Sequence, residues 1–227
     1  MRPVVVIGAA AMIGAAWYVL RQREQTESKD DTGEQFGVIA AGWDDVLTDS
    51  AESVAEFVDG ITGGILKIST MSRVTAADLQ NRNVQAVLRV IRAGEGTTDE
   101  AGYRRIFGGQ LFTDYSDHPR ITVKKSGYTS SAAGAYQFLI SSWDETKRIM
   151  RLPDFSPRSQ DLAAVGRIQA RGALDDVKAG RFETAIKKIA REWASLPGSP
   201  YGQPTLTWQR AAQMYADAGG IDRPVVA

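Results

Sequence analysis

Residues 3–20, PVVVIGAAAMIGAAWYVL, are eighteen residues without a charge, bounded by Arg2 on one side and by Arg21 and Arg23 on the other. Such a run divides the chain before anything else is read, because a water-soluble fold has little use for it at an extreme N-terminus. As a helix it lies near the lower length limit for crossing a hydrocarbon core. Trp17 and Tyr18 stand near one end, where amphipathic rings suit the membrane interface. A cleaved signal peptide, with Gly14 and Ala16 as small residues before the cut, is the alternative. That cut would fall inside the apolar run, which favours an uncleaved anchor; a buried core helix is the third reading. Ala10 and Gly14 have small-xxx-small spacing, a face through which two anchors could pair. The many Gly and Ala residues also make the run weakly hydrophobic, so that it could leave a bilayer. A thin excess of basic residues on the C-terminal side favours a cytoplasmic body.

Residues 23–35, REQTESKDDTGEQ, hold no apolar residue and read as a linker. Val54, Phe57, Val58, Ile61, Ile65 and Ile68 then keep helical spacing, weakened by Gly60, Gly63 and Gly64. The expected organisation is a transmembrane or signal-anchor helix over 1–22, an acidic linker with an amphipathic helix over 23–79, and a globular domain over 80–227. A zero formal net charge conceals an asymmetry: residues 24–60 carry −10 and residues 61–227 carry +7. A mildly basic domain suits an anionic polymer. The basic residues are scattered and no nucleic-acid motif appears, so nucleic acid is not the expected partner.

Within the domain, Val84, Val87, Leu88 and Ile91 form one apolar stripe, and the next position on it is Glu95, between Gly94 and Gly96. A carboxylate at the core side of a helix C-terminus is disfavoured as an anion by desolvation and by the helix dipole. Both raise its pKa, as a general acid requires. An ordinary surface Glu beside a C-cap glycine is the other reading of the same residues. Rival chemistries are few. The chain has no Cys and one His, His118, which excludes disulfides, thiol nucleophiles and multi-histidine metal centres. No metal or cofactor is expected. Residues 105–127 mix β-branched and aromatic residues with turn formers, suggesting short strands or a hairpin lobe. Helices are expected from Ser142, where Glu145 completes a capping box, from about Pro157, over 182–194 and over about 207–218, with a loop at 195–204.

Seven strings, GEGT, GGQLFTDYSDHPR, AGAYQF, DFSPRSQD, RGAL, WASLPG and YGQ, occur in this order between Gly94 and Gln203. In these the chain resembles the phage lambda endolysin family over about residues 80–220. The nine-residue FTDYSDHPR is the most specific of the matches. The resemblance implies an α+β, mostly α, lysozyme-like fold with a small β-lobe, preceded here by the N-terminal transmembrane helix. It implies a lytic transglycosylase that cleaves peptidoglycan between MurNAc and GlcNAc and leaves a 1,6-anhydro end. Glu95 matches the catalytic glutamate. Gly134, Tyr136 and Gln137 match the Gly-x-x-Gln motif expected to meet substrate, Tyr201 and Gln203 one lip of the cleft, and Tyr115 the opposite lobe.

Asp114 and Asp117 are the nearest candidates for a second carboxylate, with turn formation as their plainer role. His118 is expected to be structural. The family has Ser where this chain has Gly94, and Arg where it has Ala135; both changes bear on subsite preference more than on reaction class. The expected partners are glycan strands and, through the anchor, a membrane and a second copy of the chain. The expected location is a membrane-anchored enzyme facing the periplasm and cell wall, or one associated with the virion. A hydrolytic muramidase and a non-enzymatic wall-binding protein are the competing functions.

Overall fold

The computed structural model describes residues 70–125, 128–202 and 204–223. The run at 3–20, the linker, the amphipathic stretch through Ile68 and the lip residue Gln203 lie outside the described residues. Among the described residues no helix is long and apolar enough to cross a membrane. The folded body starts before the expected boundary at 80: Met71 is fully buried, and its Cε would lie 3.4 Å from a Cβ built at Gly166.

Helix α1 (Arg82–Gly94) is the central element. Asn81 caps it, accepting from the backbone N–H groups of Asn83 and Val84 at 2.9 and 3.3 Å. Its stripe of Val84, Val87, Leu88 and Ile91 is buried as the spacing predicts. The helix ends in a Schellman closure. Gly96 takes φ +70°, its N–H reaches the Ala93 carbonyl at 3.3 Å, and the Thr97 N–H reaches the Arg92 carbonyl at 2.9 Å. Glu95 is thereby the last residue with helical backbone. Its direction is set by a turn that requires a left-handed residue immediately after it.

Among the described residues five further α-helices follow: α2 (Ile140–Met150), α3 (Pro157–Ala170), α4 (Leu174–Ala179), α5 (Phe182–Ile189) and α6 (Trp208–Asp217), of which α3, α4 and α6 pack on α1. Helix α6 runs antiparallel to α1. Arg82 Nε donates to the Gly219 carbonyl at 2.7 Å beyond one end of the pair, and Leu206 lies against Gly94 at the other. The small lobe is one antiparallel pair, β1 (Val123–Lys125) with β2 (Tyr128–Ser130), in register Val123 to Ser130. Single bridges, Ile106 to Ala133 and Ala133 to Phe138, tie the lobe to the Gly134–Gln137 segment. Trp143, Phe155, Phe138 and Tyr136 form an aromatic cluster beneath it, with Trp143 edge-on to Phe155 at 4.6 Å.

Two expectations about helices are corrected, and one helix has no expectation behind it. Helix α2 begins at Ile140, with Leu139 in the cap position, so the capping box at Ser142 does not form. Glu145 instead pairs with Arg167 at 2.6 Å, and the Ser142 carbonyl accepts from Thr146 Oγ1. A nearly buried guanidinium needs carboxylates more than a helix end needs a side-chain cap. Helix α5 stops at Ile189 rather than 194, because Glu192 turns back to meet Arg167 and Arg171 at 2.5 and 2.8 Å. The short helix α4, between Ala173 and Gly180, has no counterpart in the sequence reading; six residues are too few for a periodic signal.

Candidate active site

The closure of α1 that carries Glu95 is bonded to three other segments: the turn at Glu100–Arg104 through Arg92, the Gly134–Gln137 segment through Thr97, and the loop entered at Ser195 through Glu95 itself. Glu95 is half-buried. Ser195, itself fully buried, donates from Oγ to Glu95 Oε1 at 2.7 Å. Burial raises the Glu95 pKa to about 7, while the Ser195 hydrogen bond pulls it downward. Desolvation wins, so the carboxyl holds its proton near neutrality yet remains ionisable there. A hydroxyl and an acid that sequence separates by one hundred positions thus form one pair.

The absence of a side chain at position 94 has a local use. A Cβ on Gly94 would collide with Ser195 Oγ and Cβ. The hydroxyl on the acid therefore comes from the loop, not from the residue before it. The Leu206 N–H fastens that loop by donating to the Ser195 carbonyl at 2.8 Å.

Gly134 has φ +78° and is buried, and a Cβ there would strike the Gln160 side-chain amide. Its role is to admit that amide, which accepts from the Ala135 N–H at 2.8 Å. The segment is a turn, not a helix start. Gln137 also takes a positive φ, +48°, and its Nε2 donates to the carbonyls of Gly134 and Arg105 at 2.9 and 3.1 Å. Its half-buried side chain remains partly open to solvent. Tyr136 corrects the expectation of a substrate contact. It is 2 % exposed, and its hydroxyl donates to Asp161 Oδ1 at 2.6 Å. Its ring belongs to the aromatic cluster, so Tyr136 holds the segment from behind.

Tyr201 is half-buried, with its hydroxyl donating to the Arg191 carbonyl at 2.9 Å. Tyr115 is half-buried in the other lobe, edge-on to Phe112 at 5.6 Å. An open groove of about 360 Å³ lies along that lobe between Leu111 and Ile121, over Phe112 and His118; Glu95 is not among its walls.

The two aspartates of this lobe have structural partners. Asp117 accepts from Trp143 Nε1 and Lys147 Nζ at 2.8 and 2.9 Å and pairs with Arg120 at 3.0 Å. Although burial opposes it, these donors hold its carboxyl far below the usual range. Asp114 caps its own turn, accepting from the N–H and hydroxyl of Ser116, both at 2.8 Å. His118 is buried, with Nε2 2.9 Å from the Phe138 carbonyl and Nδ1 accepting from the Arg120 N–H at 3.1 Å. Burial lowers its pKa, which suits the structural role expected of it. Sequence reasoning missed Ser195, Gln160 and Thr97. Each lay within or beside a recognised string, but a string does not reveal which of its members turn inward.

Comparison with known proteins agrees with this geometry. The pattern of the Endolysin family matches residues 85–222. The endolysin of Escherichia phage P2 is 40% identical over 157 residues, which are 62% of this chain and 95% of the relative. The endolysin of Escherichia phage lambda is 40% identical over 152 residues, 64% of this chain and 96% of the relative. The solved lambda lysozyme complexed with a chitohexasaccharide superposes with a TM-score of 0.60 at 41% identity, covering 63% of this chain and 97% of that one. The match takes in Glu95, the lobe and the loop at Ser195, so the chain belongs to the endolysin family, the phage enzymes that degrade peptidoglycan.

Proposed function

We propose that the chain is a lytic transglycosylase that cleaves the MurNAc–GlcNAc bond of peptidoglycan and leaves a 1,6-anhydroMurNAc end. The observation that carries this reading is one acid, Glu95, with a pKa near 7, while both nearby candidates for a second carboxylate are bound to structural donors. Glu95 protonates the leaving glycosidic oxygen. As a carboxylate it then takes the proton of the C6 hydroxyl of the same sugar, whose oxygen closes onto C1. A two-carboxylate glycosidase needs a second Asp or Glu as nucleophile or as base for water. The tethered C6 hydroxyl supplies its own nucleophile at high effective concentration. The glycan strand is the partner; a solved relative holds a chitohexasaccharide. Tyr115, Gln137, Tyr201 and Gln203 are assigned to its subsites, with Gly134 and Tyr136 supporting them. The run at 3–20 serves as a membrane anchor that keeps the domain at the wall, or within the virion, and offers a pairing face to a second copy.

The test is digestion of purified peptidoglycan by the full chain, followed by mass analysis of the muropeptides. Anhydro ends, lighter by one water than hydrolysis products, are expected. Reducing ends that take label at C1 from heavy-oxygen water would assign hydrolysis instead.

A further inference from the structure

The turn that presents Glu95 is held by a closed circuit of hydrogen bonds that converges on two adjacent residues of α3, Gln160 and Asp161. Arg92, on the last turn of α1, grips the far side of the Glu95 turn. Its Nε and Nη2 donate to the Thr97 carbonyl at 3.0 and 2.8 Å, and Nη2 donates to the Asp99 carbonyl at 2.6 Å. The same guanidinium lies 4.4 Å over the Tyr103 ring, with Nη1 3.3 Å from its hydroxyl. Tyr103 passes the circuit on by donating to Asp161 Oδ1 at 2.9 Å. Tyr136 donates to the same oxygen at 2.6 Å.

Gln160 joins the backbones of the same two segments. Nε2 donates to the Tyr103 carbonyl at 2.9 Å and Oε1 accepts from the Ala135 N–H at 2.8 Å. The Ala135 carbonyl accepts from Thr97 Oγ1 at 2.5 Å, which returns the circuit to the Glu95 turn. Thr97 and Gln160 are fully buried, and no buried side-chain polar atom among the described residues lacks a partner. Satisfied buried networks of this kind select one arrangement of the segments they join.

We propose that Asp161 is a positioning residue for the reaction, fixing through Tyr103, Arg92 and Tyr136 the place at which Glu95 meets the scissile oxygen. The inference rests on the reading of Glu95 as the acid. Asp161 acts through the two phenols, and its contribution is geometric. It accepts two O–H groups on one oxygen and so sets the spacing between the Glu100–Arg104 turn and the Gly134–Gln137 segment. Loss of that acceptor releases the Tyr103 and Tyr136 hydroxyls, and with Tyr103 the ring that lies under Arg92, and so loosens the support of the turn that carries the acid. A displacement of this order at a reacting group lowers turnover more than binding.

The experiment uses the full chain and compares Asp161→Ala, Asp161→Asn, Tyr103→Phe and Glu95→Gln. It records kcat and KM on a soluble glycan over a pH series and normalises activity to the folded fraction. Asp161→Ala is expected to lower kcat about tenfold to a hundredfold with KM within about twofold. Its alkaline limb should move from near 7 toward the ordinary Glu value as water reaches Glu95. Asp161→Asn, whose amide oxygen still accepts both phenols, should keep kcat within about threefold. Tyr103→Phe leaves the ring beneath Arg92 but breaks the circuit, so it should lower kcat in the same sense; it decides the matter if Asp161→Ala does not fold.

An Asp161→Ala enzyme with wild-type kcat and limb, or one whose loss follows its unfolded fraction alone, would overturn the proposal. So would an Asn variant as impaired as Ala, or, where Asp161→Ala does not fold, an unimpaired Tyr103→Phe. An active Glu95→Gln would remove the acid reading and this inference with it. An inactive Glu95→Gln beside an unimpaired Asp161→Ala would leave the acid in place and dismiss the positioning role alone.

Discussion

Replacing Glu95 by Gln is expected to stabilise the protein in a strongly pH-dependent way while abolishing lysis. The Glu95 carboxyl has a pKa of about 7 in the fold against 4.5 as the ordinary value. The unfolded chain therefore ionises this group before the folded one does. Below the unfolded pKa both states are protonated, and the group neither adds nor removes stability. As pH rises through the interval, the unfolded state gains a hydrated anion that the fold resists, so stability falls until the folded group also ionises near 7 and is level above that. The difference between 4.5 and about 7, at about 1.36 kcal/mol for each pH unit, makes the full effect about 3 kcal/mol. Partial exposure of the side chain makes this an upper figure. Gln keeps an oxygen to accept from Ser195 and carries no proton to lose. Urea unfolding of wild type and Glu95→Gln at pH 4 and pH 8 measures the difference directly. The variant should match wild type at pH 4 and exceed it by about 2–3 kcal/mol at pH 8. An equal difference at both pH values would show that the carboxyl is not desolvated in the fold, and the argument for a protonated acid would fail with it.

Ser195→Ala removes the one hydrogen bond that lowers the Glu95 pKa, so the alkaline limb of the pH–rate profile should move upward. An unmoved limb would show that the pair contributes nothing to ionisation. Asp117→Asn weakens the hold on Lys147 and Arg120, and should cost about 1 kcal/mol by urea unfolding with activity per folded molecule unchanged. A selective loss of kcat would instead promote Asp117 to the chemistry. Arg167→Met strands the nearly buried Glu192, whose other ion-pair partner is Arg171, and should cost about 3 kcal/mol. Most of that should return in the double variant Arg167→Met/Glu192→Leu; additive losses would argue against the pairing. Gly134→Ala forces a Cβ into the Gln160 amide at a left-handed position, and should cost about 2 kcal/mol or more in thermal or urea unfolding.

Periodicity exposed those parts of the fold that depend on one residue type at regular spacing. The α1 stripe, the start of α3 at Pro157 and the extent of α6 all fall where apolar spacing and capping chemistry place them. Ser156 caps α3 by accepting from the Ser159 N–H, and Thr207 caps α6 by accepting from the Arg210 N–H. Both caps are local, and local chemistry is what a single sequence exposes. The end of α5 was not legible. It is decided by Glu192 reaching Arg167, twenty-five positions away, an attraction that no window of helical spacing contains. The capping box at Ser142 failed for the same reason, since Glu145 had a distant partner of higher value.

The site divides along the same line. The half-buried place of Glu95 at the end of α1 was legible because its two determinants, the end of an apolar stripe and the glycines around it, lie within one stretch of chain. The partner that tunes it and the circuit that holds it were not, because each is a meeting of segments far apart in sequence. Tyr136 shows how a motif can misdirect. A tyrosine beside Gly134 and Gln137 reads as a substrate contact, yet Trp193 donates to its carbonyl at 3.2 Å and Asp161 takes its hydroxyl, leaving no face free. What the motif preserves there is a turn with two left-handed residues, Gly134 and Gln137, stapled from beneath. An acid with a pKa near 7 requires a dry side and a wet side at the same carboxyl. The dry side is the buried Ser195 hydroxyl and the α1 closure, which Leu206 flanks at Gly94; the wet side is the opening that leaves Glu95 half-exposed. The proposed reaction through a single carboxylate rests on that arrangement. With Asp114 and Asp117 both bound to structural donors, the nucleophile we propose is the hydroxyl already attached to the sugar, because the ring itself supplies its orientation.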